Sequence, residues 1–293
     1  MSDPILPPEI EYTIFMDALA IKGTSESPRN LLLVAKRVHT WLIPKLTETF
    51  AIRKFAPPQN YPGPSGWSID TLITHGIHTR NLFIWTSPYP SSDCYDPLAA
   101  KYISLCPNLT NLVLWSAHSM EIPYAQLNEI AHLHSLTHLS INLKKIPSLA
   151  WENSELLRLF EKITHLHNVA IIESSKDITL FNHFTSLTHL TFPDLSDETL
   201  IPLFLTRLPT LEALIVLTDH PNHFSRISVR HDCQWSVDDP RIVKIACQSY
   251  ADKELDEWLL EVQERRGIWG LADRAIRERQ KQKGLSVVAE EDK

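Results

Sequence analysis

The sequence predicts an α/β fold in which a short helical module precedes one solenoid with a curved parallel sheet. The first observation behind this prediction is a six-residue template, L-x-x-L-x-L, in which Val, Ile or Phe can replace Leu. The second is the strict alternation of its last two apolar positions, and the third is its return at regular intervals. Clear copies begin at Leu109, Leu136, Leu166, Leu187 and Leu211, and weaker ones at Thr47, Thr79 and Pro240.

Each copy of the template has the pattern of a short strand. Its fourth and sixth residues lie on the same side of a strand, so one face is buried. A strand of about three residues cannot bury that face alone and needs a similar strand stacked on it. The copies start roughly 20 to 32 residues apart, close to the period of leucine-rich repeats. We therefore expect a leucine-rich-repeat-like α/β solenoid over residues 47–250.

The segments between the copies must carry the chain back so that the next strand can run parallel, usually through a helix. Apolar residues recur in them at helical spacing, and Ser, Asp or Pro stands near their starts. Less patterned stretches, which bear Pro, Asn and His, are interpreted as loops, with extra edge strands as an alternative. The predicted crossover helices are 68–73, 97–105, 123–133, 154–163, 176–184 and 196–208, and the predicted loops are 52–68 and 219–239.

The two ends of the chain differ from the repeats. Residues 251–283 predict helices that cap the C-terminal edge of the array, and residues 284–293 predict a disordered tail. Residues 1–46 predict two helices. Pro8 stands in the first turn of the first helix, where its missing N–H is harmless. Ser27-Pro28 is a good start for the second helix, and Pro44 should end or kink it.

The N-terminal segment resembles an F-box, the small helical module that docks a ubiquitin-ligase receptor onto its Skp-type adaptor. L-P-P-E-I with a following helix matches the first half of that module, and L-L-L-V-A-K-R-V-H-T-W matches the second. An F-box followed by irregular leucine-rich repeats is a common family arrangement, and the whole chain resembles the large fungal set of such proteins. The resemblance implies an apolar adaptor-binding surface made of Leu6, Pro7, Ile10, Ile14, Leu32, Val34 and Val38.

Composition and charge argue against several classes of function. The net charge is −7, which gives no electrostatic reason to expect nucleic acid as a partner. No apolar run reaches about 18 residues, so we expect no membrane span. The acidic, Pro-rich N-terminus is not a secretory signal. Four widely spaced cysteines predict free thiols in a reducing compartment, so we expect the cytoplasm or the nucleus: Cys94, Cys106, Cys233 and Cys247.

Residues that could carry chemistry are few. Two H-x-H pairs, at 132–134 and at 165–167, have plausible metal-ligand spacing, but they occupy different phases of the repeat and no carboxylate–cysteine cluster completes a site. His138 and His189 share one phase inside L-T-H-L and are interpreted as solvent-side. No nucleophile motif, P-loop or glycine-rich phosphate loop occurs. We therefore expect no enzyme activity, no cofactor and no metal.

Residues beside the inward positions of the template point to the sheet face that we expect to be concave. Phe83 and Trp85 share phases with Val113 and Trp115 on the next repeat, which predicts an apolar aromatic patch. Such a patch suits partner binding, because aromatic residues dominate interface hot spots. Alternatively, a crossover loop or an adjacent helix covers it. The residues assigned to this face are Ala51, Arg53, Phe83, Trp85, Val113, Trp115, Ser140, Asn142, Ala170, Ile172, Thr191, Pro193, Ile215, Leu217, Lys244 and Ala246.

The function that follows from the resemblance is substrate recognition in an SKP–cullin–F-box ubiquitin ligase. The N-terminal module would bind a Skp-type adaptor, and through it a cullin–RING ligase, while the concave face and its loops would hold a protein substrate. The alternative is a non-enzymatic leucine-rich-repeat scaffold for protein–protein interaction, in which residues 1–46 only cap the first apolar edge. An enzyme is a distant third alternative.

Overall fold

The computed structural model describes residues 6–20, 34–53, 69–86, 98–116, 121–193, 198–219, 228–229, 238–247, 258, 262 and 267–291. Nine strands in these ranges form one sheet, in the order β1-β2-β3-β4-β5-β6-β7-β9-β8. All neighbours pair in parallel except β8, which runs antiparallel to β9 at the edge. The strands are β1 (Thr49–Arg53), β2 (Asn81–Thr86), β3 (Asn111–Ser116), β4 (His138–Ile141), β5 (His165–Asn168), β6 (His189–Pro193), β7 (Ala213–Asp219), β8 (Ser228–Val229) and β9 (Ile242–Cys247). The prediction of an α/β fold with one parallel sheet is confirmed.

One helix lies in each crossover from β1 to β7, and short 3-10 turns extend several of these helices. The main core lies between the sheet and the crossover helices, with Leu72, Ile103, Leu127, Leu156 and Phe204 facing the strands. The helices in the described ranges are α1 (Pro8–Ala20), α2 (Lys36–Leu46), α3 (Ile69–His75), α4 (Leu98–Ser104), α5 (Tyr124–Ala131), α6 (Ser154–Phe160), α7 (Ser175–Ile178), α8 (Ile201–Arg207) and α9 (Ile268–Glu291).

The fourth residue of the template forms one continuous row across the sheet. Each side chain in this row pairs with its counterpart on the next strand and is fully buried. Burying a leucine stabilises the fold by about 2 kcal/mol relative to leaving it exposed, so this row is a main source of stability. Its members on β2 to β7 are Leu82, Leu112, Leu139, Leu166, Leu190 and Leu214.

The register differs from the prediction in β5. Leu166 pairs with Leu139 and Leu190, so it is the fourth residue of its copy and the copy begins at Ile163. Ala170 and Ile172 are therefore not the front positions of this strand, and His167 and Val169 take those places.

The register also differs in β9. Ile242 pairs with Leu214, which places Val243 and Ile245 on the face that had been assigned to Lys244 and Ala246. Val243 and Ile245 share that face with Ile215, so the two apolar neighbours at the start of β9 left its phase ambiguous by one residue.

The N-terminal helices lead directly into the sheet. The α2 helix continues past Pro44, which therefore lies in its last turn and does not end it, while the predicted start at 27–28 lies outside the described residues. The buried Thr47 follows α2, and its backbone carbonyl accepts a hydrogen bond of 2.9 Å from the Thr79 hydroxyl. This bond joins the end of α2 to the segment that precedes β2.

The C-terminal helix α9 packs on the sheet face opposite the crossover helices, called the front face below. Its Ala272, Ala275 and Ile276 form a second apolar core with the front residues of β7 and β9. The sequence predicted that this segment would cap the edge of the array. Helix α9 lies on the face because the front residues of β7 and β9 are apolar, and packing the helix on them removes them from water.

Two other C-terminal predictions meet the structure only in part. The helix predicted over 251–265 lies mostly outside the described residues, within which Trp258 and Val262 are helical. Helix α9 runs to Glu291, beyond residue 284, where the sequence predicted the start of a disordered tail.

Candidate functional site

Exposed apolar residues lie on α1 and just before it. Leu6, Ile10 and Ile14 are 43%, 50% and 49% exposed. Ile10 and Ile14, four residues apart, lie on one side of α1, and Leu6 precedes the first residue of the helix by two positions. Val34, just before α2, is 60% exposed. We call Leu6, Ile10 and Ile14 the N-terminal stripe. Large apolar side chains concentrated on one exposed helix face are typical of an interaction surface.

Among the described residues, α1 contacts α2 through an ion pair and a pair of aromatic rings. Arg37 of α2 donates to Glu11 at 2.7 Å, and the carboxylate of Glu11 raises the pKa of this guanidinium through the hydrogen bond. The ring of Tyr12 packs edge-on against Trp41, with centroids 5.8 Å apart. None of the described side chains of residues 8–18 is buried. A helix of this length gains most of its stability from packing, and within the described part of the chain α1 buries none of these side chains.

Two residues assigned to the adaptor surface do not belong to the stripe as the structure describes it. Val38 is 0% exposed and lies inside α2 with the buried Leu42, so it stabilises the module and cannot contact a partner. Leu32 lies outside the described residues. Pro7 is exposed, and its backbone carbonyl accepts the N–H of Ile10, which starts α1.

The aromatic patch on the front face is covered. Phe83 and Val113 are buried, Trp115 is nearly so, and Trp85 is half-buried. The indole of Trp258 lies over Phe83, with ring centroids 5.5 Å apart. Of the two interpretations given for this patch, the geometry favours the covered one, and the cover comes from the C-terminal segment.

Next to this patch, polar side chains are linked by hydrogen bonds. The Trp115 indole N–H donates to Ser140 Oγ at 2.6 Å, and the Ser140 hydroxyl lies 3.1 Å from His167 Nδ1. The ring of His167 also meets the Trp115 indole edge-on at 5.6 Å. Burial lowers the pKa of His167 to about 4, so its ring is neutral at pH 7. Its Nδ1 can then accept a hydrogen bond from the Ser140 hydroxyl. Ser140 is therefore satisfied on both sides.

A stack of three histidines, called the histidine ladder below, crosses the front face at the start of β4, β5 and β6. The ring centroids of His138 and His165 are 4.1 Å apart, and those of His165 and His189 are 4.2 Å apart. Burial, and then the two neighbouring rings, lower the pKa of His165 to about 2. Each ring Nδ1 also lies within 2.9 Å of the hydroxyl of the preceding threonine: Thr137, Thr164 and Thr188.

Helix α9 contacts the ladder through two residues. The Trp269 ring packs against His138 and His165 at 5.3 and 4.9 Å. Asp273 Oδ1 lies 2.9 Å from His189 Nε2, so the last histidine of the ladder contacts a carboxylate of α9. The ladder therefore joins the sheet to its cover.

The sequence held a signal for the ladder that the register error concealed. Thr-His-Leu occurs at 137–139, 164–166 and 188–190 in the same phase of three successive copies. His138 and His189 were recognised as sharing a phase, but His165 was grouped with His167 by local spacing. Alignment of the copies on T-H-L instead of on leucines alone reveals the third rung.

Two described side chains that could carry chemistry are Cys106 and His132. Within the described ranges, no three His, Cys, Asp or Glu side chains are placed to hold a metal ion. Burial raises the pKa of the Cys106 thiol to about 12, which makes it a poor nucleophile. His132 is exposed, with its Nε2 3.6 Å from Glu155.

Comparison with known proteins adds no family to these observations. No family model matches the chain, and no curated protein matches it. Among the described residues, no helix is both long and apolar enough to cross a membrane.

Proposed function

We propose that this chain is a substrate-recognition subunit of an SKP–cullin–F-box ubiquitin ligase. Its N-terminal module docks a Skp-type adaptor, and its repeat array holds a protein substrate. The observation that carries the proposal is the N-terminal stripe, because it leaves Leu6, Ile10 and Ile14 open in the segment that resembles an F-box. Val34 adds a further exposed apolar side chain near the start of α2.

The weak attachment of α1 supports docking at this place. The ion pair of the exposed Arg37 guanidinium adds little stability because water screens it, and a single aromatic contact adds about 1 kcal/mol. An adaptor that covers the stripe would give α1 the packing it lacks. Such a receptor needs no chemistry of its own, because it acts by raising the local concentration of a substrate beside the ligase.

The proposal is tested by binding of the full chain to a Skp-type adaptor. The variant Ile10→Asp/Ile14→Asp places two charges in the stripe and should weaken adaptor binding at least tenfold. Thr74→Asp/Thr206→Asp is the matched control, since it adds two charges at exposed threonines of the crossover helices α3 and α8, away from α1. Both proteins should keep the unfolding midpoint of the wild type. Equal adaptor binding by all three proteins, or no binding by the wild type, would count against the docking role.

The alternative, a repeat scaffold with a simple helical cap, is favoured by the position of α2. The backbone N–H groups of Arg80 and Asn81 donate to the carbonyl of Glu48, just after this helix, at 2.9 and 3.0 Å. Val38 and Leu42 are buried at this end of the array. A cap alone predicts that charges in the stripe change neither stability nor any association, so the same binding assay separates the two functions.

A further inference from the structure

The C-terminal segment crosses the front face from one end of the sheet to the other. Trp258 lies over Phe83 of β2, and Trp269 lies over the histidines of β4 and β5. Arg279 then donates to the backbone carbonyl of Ile242 in β9 at 2.5 Å. The face on which a repeat array could hold a partner is therefore occupied by the chain itself.

The middle of this face does not need its cover. Its side chains are polar and bond to one another: threonine hydroxyls meet the ladder rings, and Trp115 and His167 both meet Ser140. A surface that is permanently buried is usually apolar, because buried polar groups add little net stability even when they are paired. Lifting the cover would let water reach the ladder without leaving these groups unpaired.

The contacts of α9 follow one helical stripe. Trp269, Ala272, Asp273 and Ile276 are three or four residues apart and so face the sheet together. Trp269 Nε1–H donates to the Thr191 hydroxyl at 3.0 Å, while Asp273 meets His189. Ala272 and Ile276 pack on the apolar front residues of β7 and β9. This pattern of anchors is the one by which grooves recognise amphipathic helices.

We propose that the front face is a helix-binding groove and that α9 is its built-in, exchangeable occupant. The partner is an amphipathic helix that presents an indole, a carboxylate four residues later, and small or aliphatic residues at the third and seventh positions after the indole. The groove specifies this chemistry through Thr191, His189 and the apolar residues of β7 and β9. The identification of the partner as a ubiquitin-ligase substrate rests on the proposed function, whereas the groove itself does not.

The first test asks whether the groove binds a helix from solution once α9 is lifted. The probe is a fluorescent peptide of residues 266–283. Ala272→Glu places a charge at a fully buried contact of α9, and Gln280→Glu makes the same charge change at an exposed position. Ala272→Glu should bind the peptide at least tenfold more tightly than the wild type or Gln280→Glu. The peptide with Trp269→Ala or Asp273→Ala should bind at least tenfold more weakly.

A folded Ala272→Glu that binds no peptide, or binds the altered peptides equally well, would overturn the proposal. The second test does not depend on that variant folding. In the wild type, hydrogen exchange of backbone amides 272–282 should be at least tenfold less protected than that of β3 to β7, because α9 opens by itself. Equal protection would mean that α9 leaves only when the whole array unfolds, and the proposal would fall.

The two proposals fail separately. Ala272→Glu should keep the adaptor binding of the wild type, and Ile10→Asp/Ile14→Asp should keep its peptide binding in the Ala272→Glu background. Peptide binding without adaptor binding would remove the ligase role and leave the groove. Adaptor binding without peptide binding would do the reverse.

Discussion

Replacement of His165 by phenylalanine should reduce the stability that the protein loses between pH 7 and pH 5. Burial and the adjacent rings of His138 and His189 lower the pKa of His165 to about 2, whereas an unfolded histidine titrates at about 6.5. The folded state therefore keeps a neutral ring. Its contribution to stability is fully present above the unfolded pKa and is lost as the pH falls below that value. Phenylalanine keeps a flat ring in the stack and takes up no proton.

The size of the effect follows from the two pKa values of His165. At pH 5, protonation of this ring stabilises the unfolded state by about 2 kcal/mol, compared with about 0.2 kcal/mol at pH 7. Because the folded pKa lies well below pH 5, this figure depends almost entirely on the unfolded pKa. Burial lowers the pKa of His167 to about 4. The same reasoning therefore gives a loss of about 2 kcal/mol of unfolding free energy at pH 5 from this second ring.

Urea unfolding at pH 7 and pH 5 measures the free energy of unfolding, with tryptophan fluorescence and far-UV circular dichroism as two probes of one transition. The wild type should lose about 2 kcal/mol more than His165→Phe between these pH values. Ile163→Val is the control, because it removes a buried methyl group in the same repeat and should cost about 1 kcal/mol at both pH values. If His165→Phe loses as much stability as the wild type, the folded ring is not held neutral and the reasoning is refuted.

Four other substitutions test packing in separate places. Leu42→Ala should cost about 2–4 kcal/mol of unfolding free energy, whereas Ile10→Asp should change it by less than about 0.5 kcal/mol; a large loss for Ile10→Asp would mean that the stripe is packed within the chain. Asn168→Ala should cost about 1–3 kcal/mol, because the backbone N–H of Leu143 loses its acceptor, and an unchanged melting temperature would contradict that. Gly76→Ala should cost more than about 1 kcal/mol, since its Cβ would lie 2.3 Å from a backbone carbonyl oxygen; wild-type stability would show that the turn can move.

The repeat array could be predicted from the sequence because its strongest signal is physical. A buried strand must present the same apolar positions to each neighbour. Leu112, Leu139 and Leu190 therefore indicate both where a strand lies and how it pairs with the next one. The signal failed where a second alignment satisfied the same pattern. In β5, both Ile163 and Leu166 can begin a copy, and the sixth position of the true copy is Asn168.

Asn168 is buried at a position where other strands have apolar residues. It is tolerated because its Oδ1 accepts the backbone N–H of Leu143 at 3.1 Å and its Nδ2 donates to the carbonyl of Ala170 at 3.1 Å. A hydropathy pattern cannot distinguish such a satisfied amide from an exposed one. The error of three residues in β5 therefore has one identifiable cause.

The position of the C-terminal helix could not be predicted for a different reason. An amphipathic helix has the same pattern whether its apolar stripe covers an edge or a face. The sheet residues that contact Trp269 are histidines and a threonine. Their polar pattern does not indicate that a helix covers them. The adaptor surface was predicted in part, because the sequence located the stripe of Leu6, Ile10 and Ile14 but did not separate it from the inward-facing Val38.

The histidine ladder shows how a repeat turns a local pair into a long-range structure. Parallel strands lie about 4.8 Å apart, so identical residues in register place flat rings close enough to stack. The observed separations of 4.1 and 4.2 Å mean that the rings lean towards one another. Neutral rings stack favourably at this distance, whereas two protonated rings at the same distance repel each other. His165 touches two rungs and each of the others touches one, and burial together with these two rings lowers its pKa to about 2, so the centre of the ladder, directly beneath Trp269, stays neutral at pH 5. The neutral ring of His165 therefore keeps its contact with Trp269 across the pH range in which a histidine of the unfolded chain takes up a proton.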